Sequence, residues 1–402
     1  MRDDSPFTPR NPVPDDLFVG REDIMKDSFQ YIRQAASGRQ EHIFLVGERG
    51  IGKTSLALYL GSAVQIEVGL LPVHVNLAGV TTLEELVRKV FEGILNAANR
   101  RDWLAKIRDM FGGYIDKIGM FGVSLSFKPP TEKLTDLVSH FPEALSNIAE
   151  KIKGQMKGLF IVLDDINGLC VTDKFAHWYK GLVEDIAAHH ANLAIAVMSV
   201  GLPEIRAALV EHQPSLMRVF SIERLTQLPD ENVEGFFNDA FKKANMGVES
   251  KAMNRMVRFS GGLPVFMQEI GDSVFSVVGE NTVVNESHAI DGIRRAAGII
   301  GGKYLTPKVY EAIRSRKYIS TLRRLGEMAT FNFSKKDLKR KLNDDEGKVL
   351  DNFLKKMREL EVILQDKESG PGWYRFSNRL YWVYVALESQ GSLSKLSHRE
   401  SR

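Results

Sequence analysis

The sequence is poor in cysteine and has no long apolar run. Its one cysteine, Cys170, cannot form a disulfide within the chain, and a secreted protein of 402 residues would more often carry pairs. The longest uncharged apolar stretches, such as 193–202, fall well short of the roughly 18 to 20 residues that a membrane span needs. The polar, proline-rich N-terminus lacks the apolar segment of a secretory signal. We therefore expect a cytoplasmic protein without a membrane partner.

The composition is that of an ordinary folded protein. Its apolar share of 44% and charged share of 26% exclude a disordered, collagenous or coiled-coil chain. At roughly 150 residues per domain, the length predicts two or three domains. The net charge of +3 hides an asymmetry, because residues 303–402 contain 22 Lys and Arg against 13 Asp and Glu. The partner of this basic segment is therefore a question of its own.

The most informative stretch is 42–55, His-Ile-Phe-Leu-Val-Gly-Glu-Arg-Gly-Ile-Gly-Lys-Thr-Ser. An apolar strand precedes the pattern Gly-x4-Gly-Lys-Thr and a helix follows it, which is the context that a phosphate-binding loop requires. The glycines let backbone N–H groups wrap a phosphate, and the helix adds its positive N-terminus. We expect Lys53 to reach the β and γ phosphates of ATP and Thr54 to bind Mg²⁺. The predicted nucleotide-binding residues of this loop are Gly47, Glu48, Arg49, Gly50, Ile51, Gly52, Lys53, Thr54 and Ser55.

A second candidate site ends the run Leu-Phe-Ile-Val-Leu-Asp-Asp-Ile at 159–166. Five consecutive apolar residues predict a strand buried on both faces, with two carboxylates at its end. Asp164 is the candidate magnesium ligand, and Asp165 is the candidate group that polarises the attacking water. Two aspartates after a strand can also simply cap a turn. Because each motif supplies the part that the other lacks, we favour the catalytic interpretation.

The sequence also resembles a known family. The run Leu-Phe-Val-Gly-Arg-Glu at 17–22 resembles the box that precedes the phosphate loop in AAA+ ATPases of the replication-initiator type and in the related STAND ATPases. In those relatives the box lies against the adenine, so the resemblance implies that Val19 and Gly20 contact the nucleotide. A polar residue after a buried strand is a sensor of the γ-phosphate or attacking water in the family. That role maps to Ser199, in the stretch 191–203.

The segment 216–225 resembles the one that leads into the last core strand, where AAA+ proteins often present an arginine to a neighbouring subunit's nucleotide. The resemblance implies this role for Arg218, with Arg206 and Arg224 as rivals. A guanidinium suits the role because it is always charged and can bind two phosphate oxygens at once. If Arg218 acts in this way, the active unit is a homo-oligomer.

Residues 259–266, Phe-Ser-Gly-Gly-Leu-Pro-Val-Phe, resemble the Gly-x-Pro motif that opens a lid helix in STAND and initiator-like proteins. Pro264 suits the first turn of that helix, and the resemblance implies that it borders the nucleotide. No arginine occupies the start of this helix, so the second phosphate sensor of the wider AAA+ pattern is missing. This departure favours the STAND or initiator-like branch over unfoldases.

The C-terminal segment predicts a winged helix-turn-helix. Ser334 caps one helix, Asp344 begins the next, and strands at 362–365 and 373–376 flank a turn of wing length. Acidic residues on the helix from Asp344, and the use of winged helices in STAND proteins as docks, leave a protein partner as the alternative to DNA. The candidate contacts to the phosphates of double-stranded DNA are Lys335, Lys336, Lys339, Arg340, Lys348 and Lys355.

The predicted fold is an α/β P-loop NTPase core, with helices on both faces of a parallel sheet, followed by an all-α lid and a C-terminal winged helix-turn-helix. The predicted function is Mg²⁺-dependent ATP hydrolysis by a switch that controls DNA binding or assembly with a protein partner, with slow hydrolysis in the second case. The segment 118–127 is either a packed core or edge strand, which we favour, or a hairpin that meets a partner. The predicted boundaries are a flexible tail at 1–16, a core at 17–228 with an insertion around 100–140, a lid at 229–302, a winged helix at 303–390 and a flexible tail at 391–402.

Overall fold

The structure, a computed structural model, describes residues 5–98, 115–118 and 124–390. The chain forms two compact units. The first unit comprises residues 20–226, and the second unit joins residues 227–402 to the N-terminal segment 1–19. No helix in the described part of the chain is long and apolar enough to cross a membrane.

The first unit is built around a parallel sheet. Five of its strands form this sheet in the spatial order β2-β5-β6-β1-β7, and β3 pairs with β4 in a separate antiparallel hairpin. The strands are β1 (Gln40–Val46), β2 (Leu70–Asn76), β3 (Ile115–Ile118), β4 (Ser124–Phe127), β5 (Gly158–Asp164), β6 (Ile195–Gly201) and β7 (Phe220–Arg224). The helices described are α1 (Glu22–Ala36), α2 (Lys53–Glu67), α3 (Leu83–Ala98), α4 (Thr131–Ser139), α5 (Phe141–Ile152), α6 (Lys174–His189) and α7 (Pro203–His212).

The apolar runs in the sequence become the central strands of this sheet. Strands β5 and β6 are buried along their whole length, as expected for parallel strands between layers of helices. Asp164 lies beside Val200, and Val46 lies beside Gly201, so β1, β5 and β6 end at one edge of the sheet. The predicted α/β core is confirmed, and its topology brings both sequence motifs to that edge.

Part of the insertion predicted around 100–140 lies outside the described residues. Within it, the hairpin β3–β4 and helix α4 are described. The segment 118–127 contributes only its two ends, because residues 119–123 are also outside the described residues. Phe127 is 1% exposed and packs edge-on against Phe91 of α3, with ring centroids 5.9 Å apart. At this residue, the packed-strand interpretation is the one that the structure supports.

The second unit consists mainly of helices, with two small sheets. Strands β8 and β9 form a parallel pair, and the other three form an antiparallel sheet in the order β10-β12-β11. The helices described are α8 (Asp230–Lys243), α9 (Ser250–Ser260), α10 (Pro264–Val278), α11 (Glu286–Leu305), α12 (Arg316–Glu327), α13 (Lys335–Lys341), α14 (Asp344–Glu359) and α15 (Arg379–Ser389). The strands are β8 (Gly247–Val248), β9 (Val283–Val284), β10 (Asn332–Ser334), β11 (Ile363–Gln365) and β12 (Trp373–Phe376).

The N-terminal segment differs from the expected flexible tail at 1–16. Phe7 is 4% exposed and packs edge-on against Phe236 and Phe241, with ring centroids 5.9 and 5.0 Å away. The backbone N–H of Thr8 donates to Gln268 Oε1 at 2.7 Å. A Cβ atom at Gly271 would lie 2.2 Å from the Phe7 ring, so only glycine leaves room for it. An aromatic side chain that fills such a site fixes the segment around it, which the polar composition did not reveal.

The predicted boundary between lid and winged helix, at 302/303, falls inside helix α11. Its buried side continues across that point through Ile300 and Leu305. Gly301 lies against the ring of Tyr384 on α15, where an added Cβ would approach a ring carbon to 2.1 Å. A continuous helix that packs against both α10 and α15 explains why residues 227–390 belong to one compact unit. The tail at 391–402 lies outside the described residues.

Candidate functional site

The loop at 47–52 joins the end of β1 to the start of α2, as the motif predicts. Gly50 and Gly52 have φ angles of 76° and 96°, a left-handed conformation that glycine adopts without strain. Lys53 is the first residue of α2, and its ammonium donates to the carbonyl oxygens of Gly47 at 2.8 Å and Glu48 at 2.9 Å. Burial lowers the pKa of Lys53, and the negative charge of Asp164 opposes this effect. The loop therefore has the backbone geometry and the cation that phosphate binding needs.

Thr54 and Asp164 come together although 110 residues separate them in the chain. The Thr54 hydroxyl donates to Asp164 Oδ2 at 2.8 Å, and the Asp164 side chain is 9% exposed. The same oxygen accepts a hydrogen bond from His74 Nε2 on β2, at 3.1 Å. One carboxylate and one hydroxyl at the mouth of a phosphate loop fit Mg²⁺, which takes one or two protein oxygens and completes its shell with phosphate and water. The residues present therefore fit a magnesium ion, which Thr54 and Asp164 would bind.

Asp165 lies directly after β5 in a left-handed conformation, with φ 61° and ψ 57°. Such a conformation is unusual outside glycine, although Asp tolerates it better than most residues. Asn167 Nδ2 donates to Asp165 Oδ1, and the backbone N–H of Leu202 donates to Asn167 Oδ1 at 3.3 Å. The Asp165 carboxylate is thus held by an amide that also contacts the residue following β6. The sequence analysis did not identify Asn167.

Ser199, the predicted sensor, lies away from the Asp164 side chain. It is fully buried, at 0% exposure, and lies beside Leu163 in the register of β5 and β6. Its neighbour Val200 lies beside Asp164, and side chains alternate between the two faces of a sheet. Ser199 and Asp164 therefore project from opposite faces, and Ser199 lies near the buried Tyr179 instead. The sensor role of Ser199 therefore stays a prediction, which its burial on this face does not support.

The three candidate arginines differ in their surroundings. Arg218 is exposed and ends a short 3-10 turn before β7. Arg206 on α7 is half-buried, and its Nε atom is buried with no hydrogen-bond partner among the described residues. Arg224 is exposed at the end of β7, beside Val46 and therefore next to the phosphate loop. Exposure favours Arg218 and Arg224 over Arg206 for contact with another subunit.

The box at 17–22 is divided between the two units. Val19 packs against the apolar core of the second unit, whereas Gly20 is the first residue of the first unit. Gly20 and Arg21 are both left-handed, with φ angles of 70° and 74°. The Arg21 guanidinium donates to the carbonyl oxygen of Ile51 in the phosphate loop at 3.4 Å, and burial lowers its pKa. Arg21 is a second contact that sequence reasoning missed, because its distance from the loop depends on tertiary structure.

Pro264 is the first residue of α10, as predicted, and Leu263 precedes it as the N-cap. The adjacent turn contains Gly261 and Gly262, with φ angles of 57° and 69°. Gly262 accepts a hydrogen bond at its carbonyl oxygen from the Leu228 N–H, at 2.8 Å. The turn thus fixes the segment that enters the second unit.

The candidate DNA-binding residues lie on α13 and α14, and several of them are paired with carboxylates. Lys335 contacts Asp351, Arg340 contacts Asp337, and Lys348 contacts Asp345. The remaining three have no ion pair within the described part of the chain: Lys336, Lys339 and Lys355. The helices also differ in composition, since α13 has five basic residues and one acidic residue, whereas α14 has four basic and five acidic ones.

A glycine-rich phosphate loop that lies next to an aspartate at the end of a buried strand is typical of P-loop NTPases. The family model described as the AAA ATPase domain matches residues 17–220, half of the chain. The protein belongs to this family and is an ATPase. The predicted AAA+ resemblance is thereby confirmed, and the more specific STAND assignment stays a prediction.

Two solved structures share this fold over nearly the whole chain. One is the Walker-type ATPase PABY2304 of Pyrococcus abyssi, with 13% identity and a TM-score of 0.54 over 92% of this chain and 96% of that one. The other is the ORC2 protein of Aeropyrum pernix in ADPNP and ADP complexes, with 11% identity and a TM-score of 0.55 over 94% of this chain and 93% of that one. None of the curated proteins matches the sequence.

Proposed function

We propose that the protein is a magnesium-dependent ATP switch, in which nucleotide bound at the loop 47–52 controls the second unit. The contact between Thr54 and Asp164 at 2.8 Å carries this proposal, because it joins the two motifs into one site with a fit for Mg²⁺. The Aeropyrum pernix ORC2 structure, with its ADPNP and ADP complexes, supports an adenine nucleotide as the ligand.

The residues of the site divide the chemistry among them. The loop N–H groups and Lys53 bind the phosphates, and Thr54 with Asp164 holds the metal. When bound, Mg²⁺ neutralises charge on the β and γ phosphates. Asp165 orients the attacking water and accepts its proton, and Asn167 holds the Asp165 carboxylate for that task.

The connections between the units support a switch. The chain passes from the second unit to the first at 19/20, and Arg21 then contacts the loop carbonyl of Ile51. It returns at 226/227, directly after Leu225 donates its N–H to the carbonyl of Val46 at 2.8 Å. One connection thus contacts the phosphate loop and the other contacts the strand end directly before it, so a nucleotide-dependent change in the loop can act on both.

Two substitutions test the catalytic assignment. Lys53→Ala should abolish ATP binding, because it removes the cation that the phosphates require. Asp165→Asn should keep ATP binding and reduce hydrolysis at least a hundredfold, because the amide cannot accept a proton. Binding is measured by calorimetry and hydrolysis by phosphate release. Full turnover by the Asp165 variant would assign water activation to another group.

For the second unit, we propose that residues 316–389 form a winged helix-turn-helix that binds double-stranded DNA through phosphate contacts. Helices α12, α13 and α14 with the strands β10, β11 and β12 have the order that such a domain requires. The excess of basic residues on α13 supports contact with the phosphate backbone of DNA, which depends on charge and not on base sequence. Lys336 and Lys339 are the leading contacts because both are exposed and lack an ion pair within the described residues.

A protein partner is the second candidate, and helix α14 favours it. The first turn of this helix carries Asp344, Asp345 and Glu346, where a reading helix would approach base edges and phosphates. Glu346 belongs to a capping box with Asn343, so the acidic turn stabilises the helix itself. These acidic side chains would repel DNA phosphates at the end of the helix that normally contacts the bases.

DNA binding over a salt series separates the two candidates. Replacing Lys336 and Lys339 by Glu should weaken binding to duplex DNA and reduce the salt slope by about 1.8, at about 0.9 per lost phosphate contact. Lys153→Glu is the matched control, because Lys153 is an equally exposed lysine that is paired with Glu150 in the first unit, away from the proposed surface. If binding is absent at low salt with ATP present, the protein-partner function replaces the DNA function.

The same proposal includes an oligomer and a cellular compartment. Exposed Arg218 would reach the nucleotide of a second copy, so ATP should raise the particle mass in solution. Cys170 is 3% exposed, and burial raises the pKa of its thiol to about 12. A single buried thiol supports work in the reducing cytoplasm. Light scattering with and without ATP tests the oligomer.

A further inference from the structure

His74 stands on the same face of the sheet as Asp164. In the register of β2 and β5, Asn76 lies beside Asp164, and His74 is two residues earlier on β2. Residues two apart share a face of a strand, so His74 and Asp164 are diagonal neighbours. The His74 side chain is 25% exposed, and its Nε2 atom is 3.1 Å from Asp164 Oδ2. An ionised carboxylate can only accept hydrogen bonds, so Nε2 is the donor.

The hydrogen bonds on Asp164 are one-sided. Thr54 and His74 both donate to Oδ2, at 2.8 and 3.1 Å, from two different elements of the first unit. Among the described residues, no side chain or backbone group donates to Oδ1. Two donors on one oxygen restrict rotation of the carboxylate and leave the lone pairs of Oδ1 available to a ligand. A group held in this way is prepared for a ligand on Oδ1.

We propose that His74 is a positioning residue for ATP hydrolysis, which fixes the Asp164 carboxylate in the orientation that receives the magnesium ion accompanying the nucleotide. This inference rests on the proposed role of Asp164 as a metal ligand. Hydrogen-bond partners of metal ligands typically contribute 10- to 100-fold to metal affinity or activity. With the hydrogen bond from Thr54 alone, the Asp164 carboxylate can still rotate about its Cβ–Cγ bond. The second hydrogen bond, from His74, restricts this rotation.

The test compares His74→Ala and His74→Gln with the unchanged protein. The affinity for a non-hydrolysable ATP analogue is measured by calorimetry in EDTA and in a magnesium series, together with the magnesium dependence of hydrolysis. His74→Ala should weaken binding of the magnesium complex 10- to 100-fold and leave metal-free binding within about twofold. His74→Gln should restore most of the loss, because its amide N–H replaces the donor. Equal loss with and without magnesium, or no loss, would overturn the inference.

Two further variants make the result specific. His189→Ala is the matched control, since His189 contacts Asp185 at 2.8 Å on the exposed side of α6 and should change neither affinity. Asp164→Asn separates the inference from the proposed function. If Asp164→Asn abolishes magnesium dependence and His74→Ala does not change it, only the role of His74 fails. If Asp164→Asn also leaves magnesium dependence unchanged, the proposed metal site itself is wrong. Thermal unfolding of each variant excludes misfolding as the cause.

Discussion

The phosphate-loop edge of the first unit and the charged surface of α13 and α14 in the second unit use charge in opposite ways. At the edge, Thr54 and His74 reach Asp164 across 110 and 90 residues of sequence, and Asp164 is nearly buried. On the surface, Arg340 and Lys348 are paired with acidic residues three positions away, and all four side chains are exposed. Buried contacts leave a partner unsatisfied when broken, whereas exposed pairs exchange their partner for water.

The difference teaches where a change of charge has consequences. A substitution at the edge should alter binding or chemistry sharply, and one on the surface should alter stability little. For the proposed binding to DNA, which sums many weak phosphate contacts, the net charge of the surface should matter more than any single pair.

The largest effect on stability is expected in the interior of the second unit. It tests whether buried contacts in that unit contribute more to the free energy of unfolding than its exposed residues do. Phe7→Ala removes a ring that is 4% exposed and lies against Gly271 and two other aromatic rings. Loss of a buried phenylalanine costs about 3–5 kcal/mol, which urea unfolding measures. Leu364→Ala is the control, since Leu364 is 37% exposed and should cost less than about 0.5 kcal/mol. A similar small loss for both would mean that the N-terminal segment contributes no packing.

A buried carboxyl on the first sheet gives the next effect, and it depends on pH. Glu223 on β7 is 8% exposed. Burial, and to a smaller extent the negative charge of Asp27, raises the pKa of Glu223 to about 7. The protonated form is thus favoured by folding, so its stabilisation is complete below about pH 4.5 and lost as the pH rises through 7. Glu223→Gln should match the unchanged protein at pH 4 and exceed it by on the order of 1–3 kcal/mol at pH 8. Melting temperatures across this range would contradict the assignment if the two proteins stayed parallel.

The sequence predicted the strands of the first sheet well because their signal is local. The apolar run that predicts β5 ends in Asp164, as the strand does, and the phosphate loop lies between β1 and α2 as expected. The strand predicted at 373–376 is β12. In each case a few consecutive residues determine the backbone, through burial on both faces or through glycine and turn chemistry.

The contacts that the sequence missed are those that depend on strand order or parity. His74 meets Asp164 because β2 pairs with β5, which no motif states. Ser199 was assigned by its distance from the end of β6. Side chains alternate along a strand, and this alternation places Ser199 on the face opposite Asp164. The continuation of α11 past 302 was also missed, because the basic charge of the following segment suggested a boundary that packing does not respect.

The hydrogen bond from Asn167 to Asp165 gives a smaller effect at the phosphate-loop edge. Asn167→Ala should lower hydrolysis about tenfold, equivalent to about 1.4 kcal/mol, and leave ATP affinity unchanged because Asn167 contacts Asp165 and lies outside the phosphate loop. Asn332→Ala is the matched control, since Asn332 donates to Asp366 at 2.8 Å in the second unit. Single-turnover rates separate hydrolysis from product release. Equal rates in the two variants would remove Asn167 from the mechanism.

The smallest effect is expected for the ion pair of Lys335 and Asp351, whose side chains are 40% and 80% exposed. A double-mutant cycle with alanine should give a coupling energy of about 0.2–1 kcal/mol, decreasing further with salt. The pair of Lys303 and Glu269 in the same unit sharpens the contrast, because Glu269 is 4% exposed and bound at 2.8 Å. Lys303→Ala leaves that buried carboxylate without its cation and should cost about 1–3 kcal/mol, less than a fully buried pair because Lys303 is 40% exposed. If both pairs gave the same coupling energy, burial would not be what separates the two regions.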